Sequence, residues 1–118
     1  MNTGGKENPL YIKADLLAKE IYKVTKDFPS HELYGMTSQL RRAGLSVILN
    51  IVEGFARIGE KEYKHFLRIS FGSLKETKYL LQFSLEQGYM NELQYKNLYE
   101  LSEEVAKILW TTMKRLSE

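Results

Sequence analysis

The chain has 118 residues, of which 43% are hydrophobic, 12% aromatic and 27% charged, which is the profile of one globular domain and not of a disordered polymer. It contains no cysteine, which excludes disulfides, zinc sites with thiolate ligands and cysteine nucleophiles. No apolar run reaches the roughly 18–20 residues that span a membrane, and the N-terminus lacks the apolar core of a signal peptide. The sequence therefore predicts a cytoplasmic protein.

The first predicted helix follows a short polar tail. Residues 1–8 are expected to be a disordered tail, and residues 9–118 are expected to form a single four-helix-bundle domain. Pro9, which is preceded by an asparagine suited to capping, is typical of the first position of a helix. Pro29 disfavours helical geometry in the residue before it, so we expect this helix to end near Asp27.

The second predicted helix runs from Ser38 to Ile58, with Thr37 or Ser38 as its expected cap. Gly59 is expected to be the left-handed residue that follows its end. The connection before this helix has room for one helical turn, capped by Ser30.

Polar residues form one narrow stripe on the second helix, and apolar residues surround it. A helix on the surface of a globular protein shows roughly the reverse pattern. We therefore expect this helix to be buried on more than one side, which in a chain this small indicates a partner subunit. The stripe, expected to be structural, contains Ser46, Asn50 and Glu53.

The third predicted helix runs from Glu60 to Gln87, and Gly88 is its expected left-handed stop. Asn91 opens the fourth helix, where Gln94 completes a pattern similar to a capping box. Four helices with short connections predict an all-α fold, an antiparallel up-down-up-down four-helix bundle.

No residue pattern indicates catalysis. Glu62 and His65 have the Glu-x-x-His spacing of di-iron bundles, but such a site needs a second motif and two further carboxylates. The other histidine, His31, has no glutamate three residues before it. For Glu53, a structural hydrogen bond is favoured over proton transfer, since no partner base or nucleophile is evident. We expect no enzymatic activity, no metal and no cofactor.

The second and third helices carry more apolar side chains than one four-helix core can hold. This excess predicts a homo-oligomer, and aspartate in place of Ile48 or Val52 is expected to give monomers or insoluble protein. The predicted interface contains Leu45, Ile48, Leu49, Val52, Phe55, Phe66 and Ile69.

Basic residues are concentrated in the middle of the chain. Residues 38–68 carry six Lys and Arg against three Glu, although the net charge of the whole chain is only +2. A row of cations on a helix can bind a phosphate backbone. The alternative is an exposed face of mixed sign, because Glu60, Glu62 and Glu76 dilute the row. The candidate nucleic-acid-binding residues are Arg41, Arg42, Arg57, Lys61, Lys64 and Arg68.

Several segments between Ile21 and Tyr89 resemble one bacterial family. The segments TSQLRRA, NIVEGFAR and FGSLKET are similar to those of four-helix-bundle proteins linked to intervening sequences in 23S ribosomal RNA genes. The resemblance implies an antiparallel bundle and a homo-oligomer, since some members form ring-like pentamers. The ribosomal label of many members reflects where some of their genes lie.

The sequence leaves two functions open. A related branch of the family, the accessory proteins of diversity-generating retroelements, binds a reverse transcriptase and is basic enough to bind nucleic acid. The resemblance and the basic residues together predict a non-enzymatic oligomer that binds RNA or DNA through the second and third helices. The alternative is a scaffold that binds another polypeptide, such as a nucleic-acid-handling enzyme.

Overall fold

The computed structural model describes residues 5–116, and this part of the chain forms four α-helices and no β-strand. Of the predicted tail, residues 1–4 lie outside the described part, and residues 5–8 form a turn. One turn of 3-10 helix, Ser30–Glu32, precedes the second α-helix, and Ser30 is its first residue rather than its cap. The prediction of an all-α four-helix bundle is confirmed. The helices are α1 (Pro9–Thr25), α2 (Met36–Phe55), α3 (Glu60–Glu86) and α4 (Glu92–Leu116).

Each helix packs against two others, so that α1 and α3 both lie between α2 and α4. Arg42, near the start of α2, pairs with Glu76 in the second half of α3. Phe55, at the end of α2, packs on Tyr63 in the first turn of α3. This is the order of contacts that antiparallel neighbours produce. Within residues 5–116, no helix combines the length and the apolar character needed to cross a membrane.

Aliphatic side chains fill the space between the helices, and their burial is the main stabilising contribution. The backbones of α2 and α3 approach closely where a Cβ on Gly54 would lie 3.0 Å from Tyr63 Cδ1. A Cβ on Gly72, by contrast, would meet no described atom of a neighbouring element within 4 Å. Gly72 lies on the outer side of α3.

Polar side chains add a second set of contacts between α2 and α3. The hydroxyl oxygens of Ser46 and Ser73 are 2.7 Å apart, and the Asn50 amide donates to the Ser46 carbonyl at 2.8 Å. The Ser70 hydroxyl donates to the Val47 carbonyl at 2.7 Å. The Ser46–Ser73 and Ser70–Val47 bonds link α2 to α3 and fix the register of the two helices, whereas the Asn50 bond lies within α2.

Two residues of α2 do not lie where the sequence predicted. Glu53 was expected to be buried, but it lies near the end of the helix, where its side chain extends into solvent and pairs with Arg57. Ile48 was predicted to face a partner subunit, but only 6% of it is exposed because it belongs to the chain's own core. The outer side of α2 carries exposed Leu49 and Val52 instead.

Caps at three helix ends follow the predictions. The Asn8 side chain accepts a hydrogen bond from the Leu10 amide at 2.8 Å. Asn91 and Gln94 exchange two hydrogen bonds, of 2.8 and 2.9 Å, each from the backbone of one to the side chain of the other. Gly88 follows α3 with a φ of 77°, a left-handed conformation that favours glycine.

The ends of α2 differ from the prediction. The helix stops at Phe55, and Gly59 has the extended angles φ −93° and ψ 152°, so it precedes α3 instead of terminating α2. Neither Thr37 nor Ser38 caps the start. The cap is the carboxylate of Glu32, which accepts a hydrogen bond from the first amide of the helix.

The Glu32 carboxylate links the start of α2 to the connection between α3 and α4. One oxygen accepts from the Met36 amide at 2.8 Å, and the other accepts from the Tyr89 hydroxyl at 2.7 Å. The Tyr89 ring packs on Phe28, with ring centres 5.5 Å apart. The Met36 amide, and to a smaller extent the Tyr89 hydroxyl, hold the pKa of Glu32 below its usual value, because both bonds favour the ionised carboxylate.

Two glycine-to-alanine variants test the helix contact. In Gly54→Ala, overpacking against Tyr63 costs about 1–3 kcal/mol, which outweighs the gain in helix propensity of about 1 kcal/mol. Gly72→Ala has no such packing cost, so the gain in helix propensity should stabilise the protein by about 0.5–1 kcal/mol. Urea denaturation at one protein concentration should show opposite signs, and equal stabilisation of both variants would contradict the close approach.

The Glu32 contacts predict a specific dependence of stability on pH. Because the pKa is lower in the folded state, the contribution is present above the unfolded pKa, near 4.5, and is lost as the pH falls through the folded pKa. Glu32→Gln should lower Tm at neutral pH, and the deficit should shrink in acid. Glu100→Gln, an exposed control on α4, should leave Tm nearly unchanged. A deficit for Glu32→Gln that is constant with pH would contradict this interpretation.

Candidate nucleic-acid interface

The six predicted basic residues form two groups near opposite ends of α2. Arg41 and Arg42 lie near its start. With a rise of 1.5 Å per residue, about 20 Å of chain along α2 separates Arg42 from Arg57, at the far end of the second group. The fold therefore does not bring all six side chains together. The second group contains Arg57, Lys61, Lys64 and Arg68.

The Arg41 side chain packs on the last turn of α1. Its Nε donates to the Thr25 hydroxyl at 2.8 Å, and its guanidinium lies 4.5 Å from the centre of the Tyr22 ring. A further N–H reaches the Tyr22 carbonyl at 3.4 Å. Arg41 thus contributes to the contact between α1 and α2.

The remaining arginines near α2 pair with acidic residues of α3. Arg42 lies 3.2 Å from Glu76. Arg57 pairs with Glu53 of α2, approaches Glu62 at 4.0 Å and covers the Phe66 ring. Arg42 and Arg57 therefore partly neutralise Glu76 and Glu62, two of the three glutamates that dilute the basic row.

Four cations lie along the outer side of α3, and we call them the basic stripe. At 3.6 residues per turn they fall within an arc of about 60°, opposite the side of α3 that enters the core. Between Lys61 and Lys75 no Asp or Glu falls in this arc. Among residues 5–116, Lys61 and Arg68 have no ion-pair partner. The basic stripe contains Lys61, Lys64, Arg68 and Lys75.

Arg68 lies between two shallow clefts. The first, of about 470 Å³, opens toward α2 and is lined by Arg57, Lys61 and Phe66 among others. The second, of about 400 Å³, opens toward α4, where Trp110 and Lys114 complete it. Each cleft adds an aromatic ring to the cations of the basic stripe.

The sequence did not indicate that α4 contributes side chains to the candidate interface. Trp110 and Lys114 lie one turn apart on its outer side, and Lys107 precedes Trp110 by three residues. No Asp or Glu occurs between residues 105 and 116, whereas the first half of α4 carries four. This uneven charge distribution was the available signal, but the approach of α4 to Arg68 is evident only in the folded chain.

The residues of the predicted oligomer interface differ in how exposed they are in the single chain. Leu49, Val52 and Ile69 are exposed in the single chain, and Leu49 is 59% exposed. The half-buried members are Leu45, Phe55 and Phe66. Ile48 contributes almost no accessible surface, because it is buried in the core.

The described residues contain no cluster of metal-ligating side chains. Glu62 and His65 lie in the first two turns of α3, but nowhere in residues 5–116 do three or more His, Cys, Asp or Glu side chains gather in a suitable group. Glu53 lies beside Arg57 and faces solvent, so its environment is that of a surface ion pair.

The chain is similar to proteins of one family. The family model described as 23S rRNA-intervening sequence protein matches residues 6–111. A crystal structure of a protein with unknown function from the S23 ribosomal protein family of Bacteroides thetaiotaomicron VPI-5482 matches with a TM-score of 0.80 and 25% identity. That match covers 89% of this chain and 98% of the other. No curated protein matches. The resemblance inferred from the sequence is thus confirmed, and the chain belongs to the family of 23S rRNA-intervening sequence proteins.

Proposed function

We propose that this four-helix bundle binds the phosphate backbone of RNA or DNA through its basic face, without catalysing a reaction. The observation that carries the proposal is the basic stripe of α3. Lys61, Arg68 and Lys75 are exposed and Lys64 is half-buried. Arginines on the α2 side engage Glu62 and Glu76 on the flanks of α3. An uninterrupted row of cations on a rigid helix is suited to a polyanion. A cytoplasmic location is part of this proposal.

The proposal includes assembly of the chain into a homo-oligomer. A net charge of +2 is modest for a nucleic-acid-binding protein, but an oligomer repeats the basic stripe in each subunit, and linked weak sites bind with higher avidity. The exposed side chains of Leu49, Val52 and Ile69 supply apolar surface for such an interface. The family resemblance favours a pentamer.

A protein-binding scaffold is the second candidate, favoured by the connection before α2. Tyr34 is 93% exposed there, beside exposed Leu33. The hydrogen bonds of Glu32 to Met36 and Tyr89 hold this connection in place. An exposed aromatic side chain on a fixed segment is suited to contact another polypeptide, such as a nucleic-acid-handling enzyme.

Charge reversal tests the basic stripe. Lys61→Glu combined with Arg68→Glu should weaken binding of both duplex DNA and structured RNA. The slope of log Kd against log salt concentration should fall by about one for each phosphate that the variant no longer binds. Fluorescence anisotropy at several salt concentrations measures both quantities.

The control is Lys19→Glu combined with Lys96→Glu, which changes the net charge equally at exposed positions away from the stripe. This control should retain most of the affinity. Wild-type affinity in the stripe variant would contradict phosphate binding by α3. Salt-tolerant binding of a specific protein, with weak binding to naked RNA, would favour the scaffold.

Aspartate substitutions on α2 test the oligomer. Leu49→Asp combined with Val52→Asp should yield folded monomers of 13.8 kDa, because both side chains are exposed in the single chain. Ile48→Asp should instead unfold the protein, because it places a charge in the core. Light scattering and circular dichroism distinguish these outcomes. A wild-type monomer at micromolar concentration would show that the oligomer proposal is wrong.

A further inference from the structure

The cleft between α3 and α4 combines cations with exposed aromatic surface. Its volume is about 400 Å³, within the range of sites that hold one small planar group. Two of the lining residues belong to the basic stripe, so a nucleic-acid strand bound along α3 would pass the opening of the cleft. The lining residues are Lys64, Arg68, Phe71, Trp110, Met113 and Lys114.

The charged side chains that line this cleft are all basic. Lys64 and Arg68 enter from α3, and Lys114 enters from α4. No Asp or Glu lines the cleft. Lys75 lies farther along α3, with its ammonium 5.2 Å from the centre of the Phe71 ring. The cleft therefore favours an anionic occupant, since the charged side chains that line it are all basic.

Trp110 provides the flat surface of the cleft. It is 59% exposed, and its ring centre lies 6.2 Å from that of Phe71 with an interplanar angle of 41°. Phe71 is half-buried and supports the indole from one side, which leaves a large part of the indole surface open to solvent. An exposed indole beside cations is the combination on which single-stranded nucleic acids stack their bases.

We propose that this cleft binds one unpaired nucleobase of a single-stranded nucleic acid, stacked on Trp110, with the adjoining phosphates on Arg68 and Lys114. The inference rests on the proposed binding of nucleic acid by the basic stripe, and it adds a preference for unpaired over paired bases. A duplex presents its phosphates to the stripe but keeps its base faces stacked internally. The small volume favours a single base over a helical segment of an acidic polypeptide.

Tryptophan fluorescence tests the stacking directly, because Trp110 is the sole tryptophan of the chain. A short oligothymidylate at low salt should quench the emission in a saturable titration, since a stacked base contacts the indole. A DNA duplex of the same length and inorganic polyphosphate should bind the basic stripe with little quenching. The full-length wild-type chain is used throughout.

Two variants at this position provide the matched control. Trp110→Leu should weaken binding of a labelled oligothymidylate about ten-fold, while Trp110→Phe, which keeps an aromatic surface, should retain most of the affinity. Duplex affinity should be the same in both variants and the wild type. Circular dichroism verifies that each variant is folded, as expected for a half-exposed position.

The outcomes separate the two proposals. Equal affinity for single strand and duplex, with no quenching, would overturn the stacking inference and leave phosphate binding by the stripe intact. Absence of binding to any nucleic acid would overturn both. Quenching by polyglutamate but not by oligothymidylate would identify a polypeptide occupant and overturn the inference. Emission that changes with protein concentration, together with a rising mass in light scattering, would place a second copy of the chain in the cleft and overturn it as well.

Discussion

The close contact between α2 and α3 is the constraint on which the rest of the structure depends. Gly54 lets the α3 backbone approach, and the Ser46–Ser73 hydrogen bond fixes the register of the pair. In that register Arg42 reaches Glu76 from across the interface. Packing thus determines the surface electrostatics. A shift of one turn between the helices would separate Glu76 from Arg42 and leave an unpaired carboxylate beside the basic stripe.

Much of the fold was predictable because helix signals act over a few residues. The Asn91–Gln94 pair and the left-handed Gly88 depend only on chain neighbours, and both appear as expected. Helical periodicity also predicted the four helices, which the described residues form. It was less accurate at Ile48, since periodicity shows which residues share a face but not which neighbouring helix covers that face.

Features that depend on distant residues were not predictable from local patterns. The cap of α2 is Glu32, whose position depends on Tyr89, 57 residues farther along the chain. Likewise, Trp110 and Lys114 become neighbours of Arg68 only when α4 folds back on α3. The sequence pattern places Glu53 in the polar stripe of a buried helix. Because Glu53 lies near the end of α2, its long side chain reaches solvent. Tertiary geometry decided all three placements.

The basic stripe and the adjoining cleft are carried entirely by helices, and this has a thermodynamic consequence. Ordering a flexible loop residue costs about 1–2 kcal/mol of backbone entropy, whereas α3 and α4 already have a fixed backbone. A ligand at this surface would restrict only side chains, at about 0.5–1.5 kcal/mol each. On the proposed binding mode, the spacing of the cations would be the same before and after association. The bundle would act as a rigid template to which a flexible strand adapts, so most of the conformational entropy lost on association would come from the strand.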